Sequence, residues 1–221
     1  MKVLFILILA VLFSPKQGYS QKAYKFDYVL EYEYEHPADD GKVHAHTHYR
    51  FINSSDNSYI LLINVDEKVV SMRLITEGGQ FYHSTISEED FLVEAISLRC
   101  PATGHVTETK LNNYAVVPKS DTIINSRSFS RVELLPVNEK KFKKGELSAR
   151  EIIMDNTLGL KFPFFTPDDT AHRFYNEGEK IPNGLLKESV VTDFEGNITG
   201  RTRLIQYIPL KKMIMVDKNC K

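Results

Sequence analysis

Along much of this chain hydrophobic and polar residues alternate with a period of two. Phe26, Tyr28, Leu30, Tyr32 and Tyr34 interleave with Asp27, Val29, Glu31, Glu33 and Glu35. That pattern predicts a strand with one face in a core and a mostly acidic face in water. The cluster Pro37-Ala38-Asp39-Asp40-Gly41 is turn chemistry. A second alternation then sets Val43, Ala45, Thr47, Tyr49 and Phe51 against His44, His46, His48 and Arg50. Residues 26–51 therefore read as a β-hairpin.

Further on, the nearly all-apolar run Tyr59–Val65 suggests a strand covered on both faces. Lys68–Ile75 and Gln80–Ile86 predict two more strands. Ser87, followed by Glu88, Glu89 and Asp90, is an N-cap signal, so a helix is expected over 88–99, closed by Pro101. Strand-like runs return at Tyr114–Val117, Thr122–Ile124 and Ser128–Leu135, and Leu147–Met154 fits either helix or strand. Residues 160–167 (LKFPFFTP) form an aromatic loop punctuated by proline, either cover for the core or the rim of an apolar pocket. Pro167–His172 reads as a turn entering a short helix, with Asp168 or Asp169 as cap. Two strands flank Glu195-Gly196-Asn197, and Lys212–Val216 makes a last one. No fixed-period repeat is present. The fold class expected is mainly β: an antiparallel sandwich, barrel or half-barrel with one or two short helices.

The N-terminus changes the picture of where this domain works. Lys2 precedes an unbroken apolar run from Val3 to Phe13, Ser14-Pro15 breaks it, and Gly18-Tyr19-Ser20 offers small residues at a cleavage site before Gln21. This is the order of a secretory signal peptide, and eleven apolar residues are too few to span a bilayer. The expectation is a signal peptide over 1–20 and a single soluble β-rich domain over 21–221, exported to the periplasm or outside the cell and not membrane-spanning after cleavage. Removing Lys2 and Lys16 moves the formal charge from −1 to −3. Both signs are dispersed, which argues against a nucleic-acid partner. The Lys140–Lys144 stretch reads as a solvated turn. Cys100 and Cys220 are the two cysteines. In an oxidising compartment they are candidates for a disulfide, closing a loop of about 120 residues for roughly 4–5 kcal/mol.

Candidate chemistry is sparse. There is no nucleophile elbow, no His-Glu-x-x-His, no P-loop and no dinucleotide glycine pattern. Two glycosylation sequons begin at Asn53 and Asn197, both at turns. The constellation that stands out is His44, His46 and His48 on one face of one strand. If both aromatic faces of the hairpin point to one core, Glu31, Glu33 and Glu35 share the outer face with these imidazoles, pairing Glu33 with His46 and Glu31 with His48. The first reading is a solvated ladder of acid–imidazole pairs. The second is a zinc site of two histidines and a glutamate drawn from His44, His46, His48, Glu31 and Glu33, which would make the protein a metal-dependent enzyme or metal-binding protein. The leading functional expectation is a non-catalytic exported binding or envelope protein, without a cofactor. Its partner would be a lipid-like or other apolar ligand, or an envelope protein. A surface interaction module is the remaining alternative.

Overall fold

The computed structural model describes residues 21–38, 41–106 and 110–217. The expected leader over 1–20 and Cys220 lie outside the described residues. Among the described residues thirteen strands form one open sheet of half-barrel type, so the mainly β class is observed. The strands are β1 (Gln21–Pro37), β2 (Val43–Asn53), β3 (Asp56–Asp66), β4 (Val69–Thr76), β5 (Gln80–Ser87), β6 (Ala95–Leu98), β7 (Ala102–His105), β8 (Tyr114–Ile124), β9 (Arg127–Pro136), β10 (Ala149–Asp155), β11 (Pro163–Phe164), β12 (Gly184–Thr192) and β13 (Ile198–Asp217). Three short helices accompany them among the described residues: α1 (Glu88–Phe91), α2 (Glu139–Lys143) and α3 (Thr170–Asn176). The order across the sheet is β7-β5-β4-β3-β2-β1-β13-β12-β10-β9-β8, with β11 added to β12 and β6 added to β13, both in parallel. The other pairings are antiparallel, as short hairpin connections require. No helix among the described residues is long and apolar enough to cross a membrane.

The sheet buries apolar residues on both faces, in two separate cores. On the concave face Leu30, Tyr32, Ile52, Ile60, Ile152, Met154, Leu186 and Leu204 join Phe164, Phe165 and Phe174. On the opposite face, at one end, Tyr24, Phe26, Phe51, Tyr59, Leu61, Ile63 and Met72 pack with Ile96, Leu98, Ile214 and Val216. Tyr59–Ile63 feeds both cores by alternation, which explains its nearly continuous apolar sequence. A register shift between β1 and β13 falls between Phe26 and Tyr28, where the even residues of β1 pass from the second core to the first.

The second core is closed by a strap, α1 through β7, and here the expected helix over 88–99 is corrected. Ser87 does cap it, its hydroxyl accepting from Asp90 N at 3.1 Å. The helix nevertheless ends at Phe91. Beyond it, Ile96 and Leu98 are buried while Ala95 and Ser97 are exposed, a period of two, and the segment pairs with Met213–Val216. Burying two aliphatic side chains and gaining a ladder outweigh local helix preference. Lys212 fastens the strap: its buried ammonium donates to Phe91 O and to Val93 O and lies 4.0 Å from the Phe91 ring centre. The parallel register sets Leu98 opposite Val216, near the end of β13. The described residues contain no free cysteine.

Elsewhere the ambiguous Leu147–Met154 run is strand β10. The two runs at 114–117 and 122–124 are one strand, β8, bulged between Lys119 and Thr122. Asp169 caps α3, accepting from Ala171 N at 2.8 Å. The Lys140–Lys144 stretch lies in and just after exposed α2.

Candidate functional site

The concave face is covered by one connection rather than by a second sheet. Residues 156–183 leave β10, cross the hollow of the half-barrel and return as β12, with only the two-residue β11 and seven-residue α3 as regular structure. Phe164 and Phe165, at 2 % and 1 % exposure, drive into the hollow with Leu160, Ala171, Phe174 and Ile181. The proline-aromatic loop is therefore cover for the core. Its rings and the sheet's aliphatic side chains fill the hollow together.

A small set of polar contacts fastens this cover to the sheet. Arg150, on β10, gives its Nη1 to both carboxylate oxygens of Asp169 at 2.8 Å and its Nε to Ser189 Oγ at 2.8 Å. Its guanidinium also lies 5.8 Å from the Phe165 ring centre. Asn57 Nδ2 reaches Pro163 O at 3.4 Å. Below, the buried Tyr32 hydroxyl donates to Leu186 O at 3.0 Å. Where α3 meets the Glu77–Gly79 turn, a cleft of about 210 Å³ is lined by Glu77, Asp168, His172, Arg173 and Glu177 among others. His172 is 2 % exposed. Burial pulls its pKa below the ordinary imidazole value, against the opposing pull of Asp169, Glu77 and Asp168.

The expected hairpin forms, but its register corrects the expected histidine site. Tyr32 opposes His48, Tyr34 opposes His46 and His36 opposes His44. The histidines therefore share the concave face with Tyr32 and Tyr34, not the outer face with the glutamates. The expectation rested on a single core for both strands. Because there are two, Phe51 and Tyr49 serve the second core while Leu30 and Tyr32 serve the first, and the strands pair one residue away from the register expected. Glu31 accepts from Gln206 Nε2 at 2.6 Å, and Glu33 pairs with Arg203 at 3.1 Å, as does Glu35. These belong to an ion-pair lattice on the convex face that includes Glu188–Arg201 and Glu151–Arg131. Two histidines and Glu31 or Glu33 are not brought together, and no group of three metal-ligating side chains stands ready among the described residues.

The three imidazoles have separate environments. His44 and His46 are exposed near the mouth of the half-barrel. His48 is half-buried, stacked on Tyr32 at 5.6 Å with planes 12° apart, and its Nε2 accepts from Arg50 Nε at 3.2 Å. Arg50 in turn lies 4.3 Å from the Tyr32 ring centre. Burial first, then the charge of Arg50 and of His46, lowers the His48 pKa to about 4. The folded value lies below the unfolded one of about 6.5, so the stabilisation is complete above about pH 6.5 and is lost as the pH falls from there toward 4. Allowing for its partial exposure, the loss is about 1 kcal/mol by pH 4.5. Urea denaturation at pH 7 and pH 4.5 should show His48→Gln less acid-sensitive than wild type by that amount; equal sensitivity would remove this account of His48.

Sequence reasoning left the cap open between Asp168 and Asp169, and the structure gives it to Asp169; the link of Asp169 to Arg150 and the place of His36 beside the histidines were not anticipated. The amides of both sequon asparagines are engaged, Asn53 Nδ2 with the Tyr59 hydroxyl at 2.8 Å and Asn197 Nδ2 with Asp193 at 2.9 Å.

Fold and site together define a half-barrel with a lidded concave face. The chain matches no family model and no curated protein. Solved structures to which it is similar include the MucA/MucB complex of Pseudomonas aeruginosa, at 11% identity and TM-score 0.37, covering 83% of this chain and 51% of that one. A LolA superfamily protein from Nitrosomonas europaea is similar at 8% identity and TM-score 0.30, covering 82% and 85%. A DUF1329 family protein from Desulfovibrio piger is similar at 8% identity and TM-score 0.34, covering 93% and 90%. The chain spans about half the length of the MucB chains it matches. Identities and TM-scores at this level assign neither ligand nor activity.

Proposed function

We propose that this is an exported, non-catalytic binding protein whose ligand is apolar and lipid-like and lies along the concave face, in the space that residues 156–183 fill. The observation that carries this reading is the nature of the cover. A continuous apolar face of the sheet, carrying Leu30, Tyr32, Ile152, Leu186 and Leu204, is covered by side chains of a single connection with almost no ladder of its own. Segments with few backbone hydrogen bonds open at lower free energy than sheet strands do. A ligand with an acyl-like chain would replace Phe164, Phe165 and Phe174 by equivalent apolar surface, so displacement changes little in burial. The leader pattern over residues 1–20 supports export, to the periplasm or beyond.

The test is purification from the native cell envelope, followed by native mass spectrometry and lipid extraction. The expected result is a co-purifying apolar molecule in near-stoichiometric amount, with amide exchange across 156–183 slowed in its presence. No bound apolar molecule, together with exchange across 156–183 as slow as in β12 and β13, would overturn the proposal.

A further inference from the structure

We infer that the mouth of the half-barrel carries a transition-metal site made by His36, His44 and His46, selecting ions such as zinc that favour imidazole nitrogen. The hairpin register creates it. His36 is the direct cross-strand partner of His44, and His46 is the next residue of β2 on the same face. The ring centres of His36 and His44 are 5.9 Å apart, and those of His36 and His46 are 5.7 Å apart. Neighbours on one face of a strand are about 6.5–7 Å apart, so the three imidazoles form a triangle whose longest side runs along β2, from His44 to His46. Around a tetrahedral zinc with Zn–N of about 2.0–2.1 Å, three ring centres stand roughly 5 Å apart. The triangle is thus open by under about 1 Å on its two measured sides and by roughly 1.5–2 Å along β2, so the three rings do not stand in a ligating arrangement until the exposed His44 and His46 rotate inward.

Three further observations favour a ligand here. His36 Nδ1 is buried and has no hydrogen-bond partner, an unsatisfied nitrogen beside two other imidazoles. The rings are oriented by Tyr34, which stacks on His36 at 5.5 Å with planes 21° apart and meets His46 edge-on at 5.1 Å. Tyr34 is itself seated on Gly200, where an added Cβ would stand 3.2 Å from its hydroxyl. Finally, His48 is unsuited to the set. Its Nε2 is taken by Arg50, whose guanidinium opposes a divalent cation at that end of the strand. Three nitrogen ligands leave a fourth position for water or for a ligand group at the mouth.

The experiment is calorimetric titration of tag-free protein with zinc chloride, repeated with cobalt(II) to read tetrahedral geometry from its absorption. One ion per chain is expected. His36→Gln, His44→Gln and His46→Gln should each weaken binding at least about tenfold, while His48→Gln and Glu33→Gln leave it unchanged. His44 is exposed, so its variant keeps the fold, and circular dichroism of all variants checks this. No saturable binding by wild type, binding undiminished in His36→Gln, or a loss in His48→Gln equal to that in His46→Gln would each overturn the inference.

Discussion

Arg150→Met is expected to lower the stability of this protein by about 2–3 kcal/mol and to loosen residues 156–183 ahead of the sheet. Arg150 and Asp169 are 21% and 14% exposed, and both carboxylate oxygens take their hydrogen bonds from the one guanidinium. Removing the cation leaves a largely desolvated carboxylate at the N-terminus of α3. Breaking a fully buried pair this way costs about 3–5 kcal/mol. Two features reduce it here: Asp169 keeps its capping bond to Ala171 N, and Arg50 is near enough to interact with it. The Ser189 bond is lost as well. Asp169→Asn in the same background should restore part of the loss, because an amide is less costly than an unpaired charge, so the double variant should cost less than the two singles added. Urea denaturation measures the cycle. A loss under about 0.5 kcal/mol for Arg150→Met would show that the pair does not hold the cover down. The same variant bears on function: a cover released from its ion pair should admit a fluorescent fatty-acid probe more readily than wild type.

How much of this was legible beforehand depends on the range of the interaction. The first hairpin, the cap Ser87, a cap at Asp168 or Asp169 and the turn at Glu195–Asn197 are local signals, and each is found at the place the sequence indicates, the second cap being Asp169. The register of β1 against β2 was not legible, because it depends on how many cores the sheet serves. Alternating aromatics on two strands look alike whether they face one core or opposite ones. Only the strap that brings Ile96 and Leu98 over Phe51 reveals the second. That one-residue difference moved the glutamates away from the histidines and brought His36 to them. β6 misled for the same reason: its apolar residues satisfy a helical pattern as well as a strand, and the choice falls to a partner more than a hundred residues away in β13. The Arg150–Asp169 pair was equally hidden, since β11 and the aromatic loop lie between its members in sequence.

Gly184→Ala should be among the most damaging single-methyl additions in the chain, with a cost on the order of 3–5 kcal/mol. Gly184 opens β12 at φ +121°, a region L residues rarely adopt. Its added Cβ would stand 2.3 Å from Asp155 O, 2.7 Å from Asp155 C and 3.0 Å from Asn156 Cα, all backbone atoms with no rotamer to yield. The residue closes the base of the cover. Its amide donates to Phe162 O at 3.0 Å, and it pairs with Pro163 while lying against the end of β10. Relief would have to part the two points where residues 156–183 leave and rejoin the sheet, disturbing the packing of Phe164 and Leu185. Gly196→Ala is the control. It too has positive φ, +85°, but nothing lies within 4 Å of its added Cβ, so it carries the backbone strain alone, about 1 kcal/mol. For a chain of this size the first change should lower the melting temperature by on the order of 10 °C and the second by a few degrees. Melting of Gly184→Ala within about 2 °C of Gly196→Ala would mean that the base of the cover yields freely. The 156–183 segment would then be hinged at Gly184 rather than anchored there, and the constraint on its opening would fall to the Arg150–Asp169 pair and the buried rings.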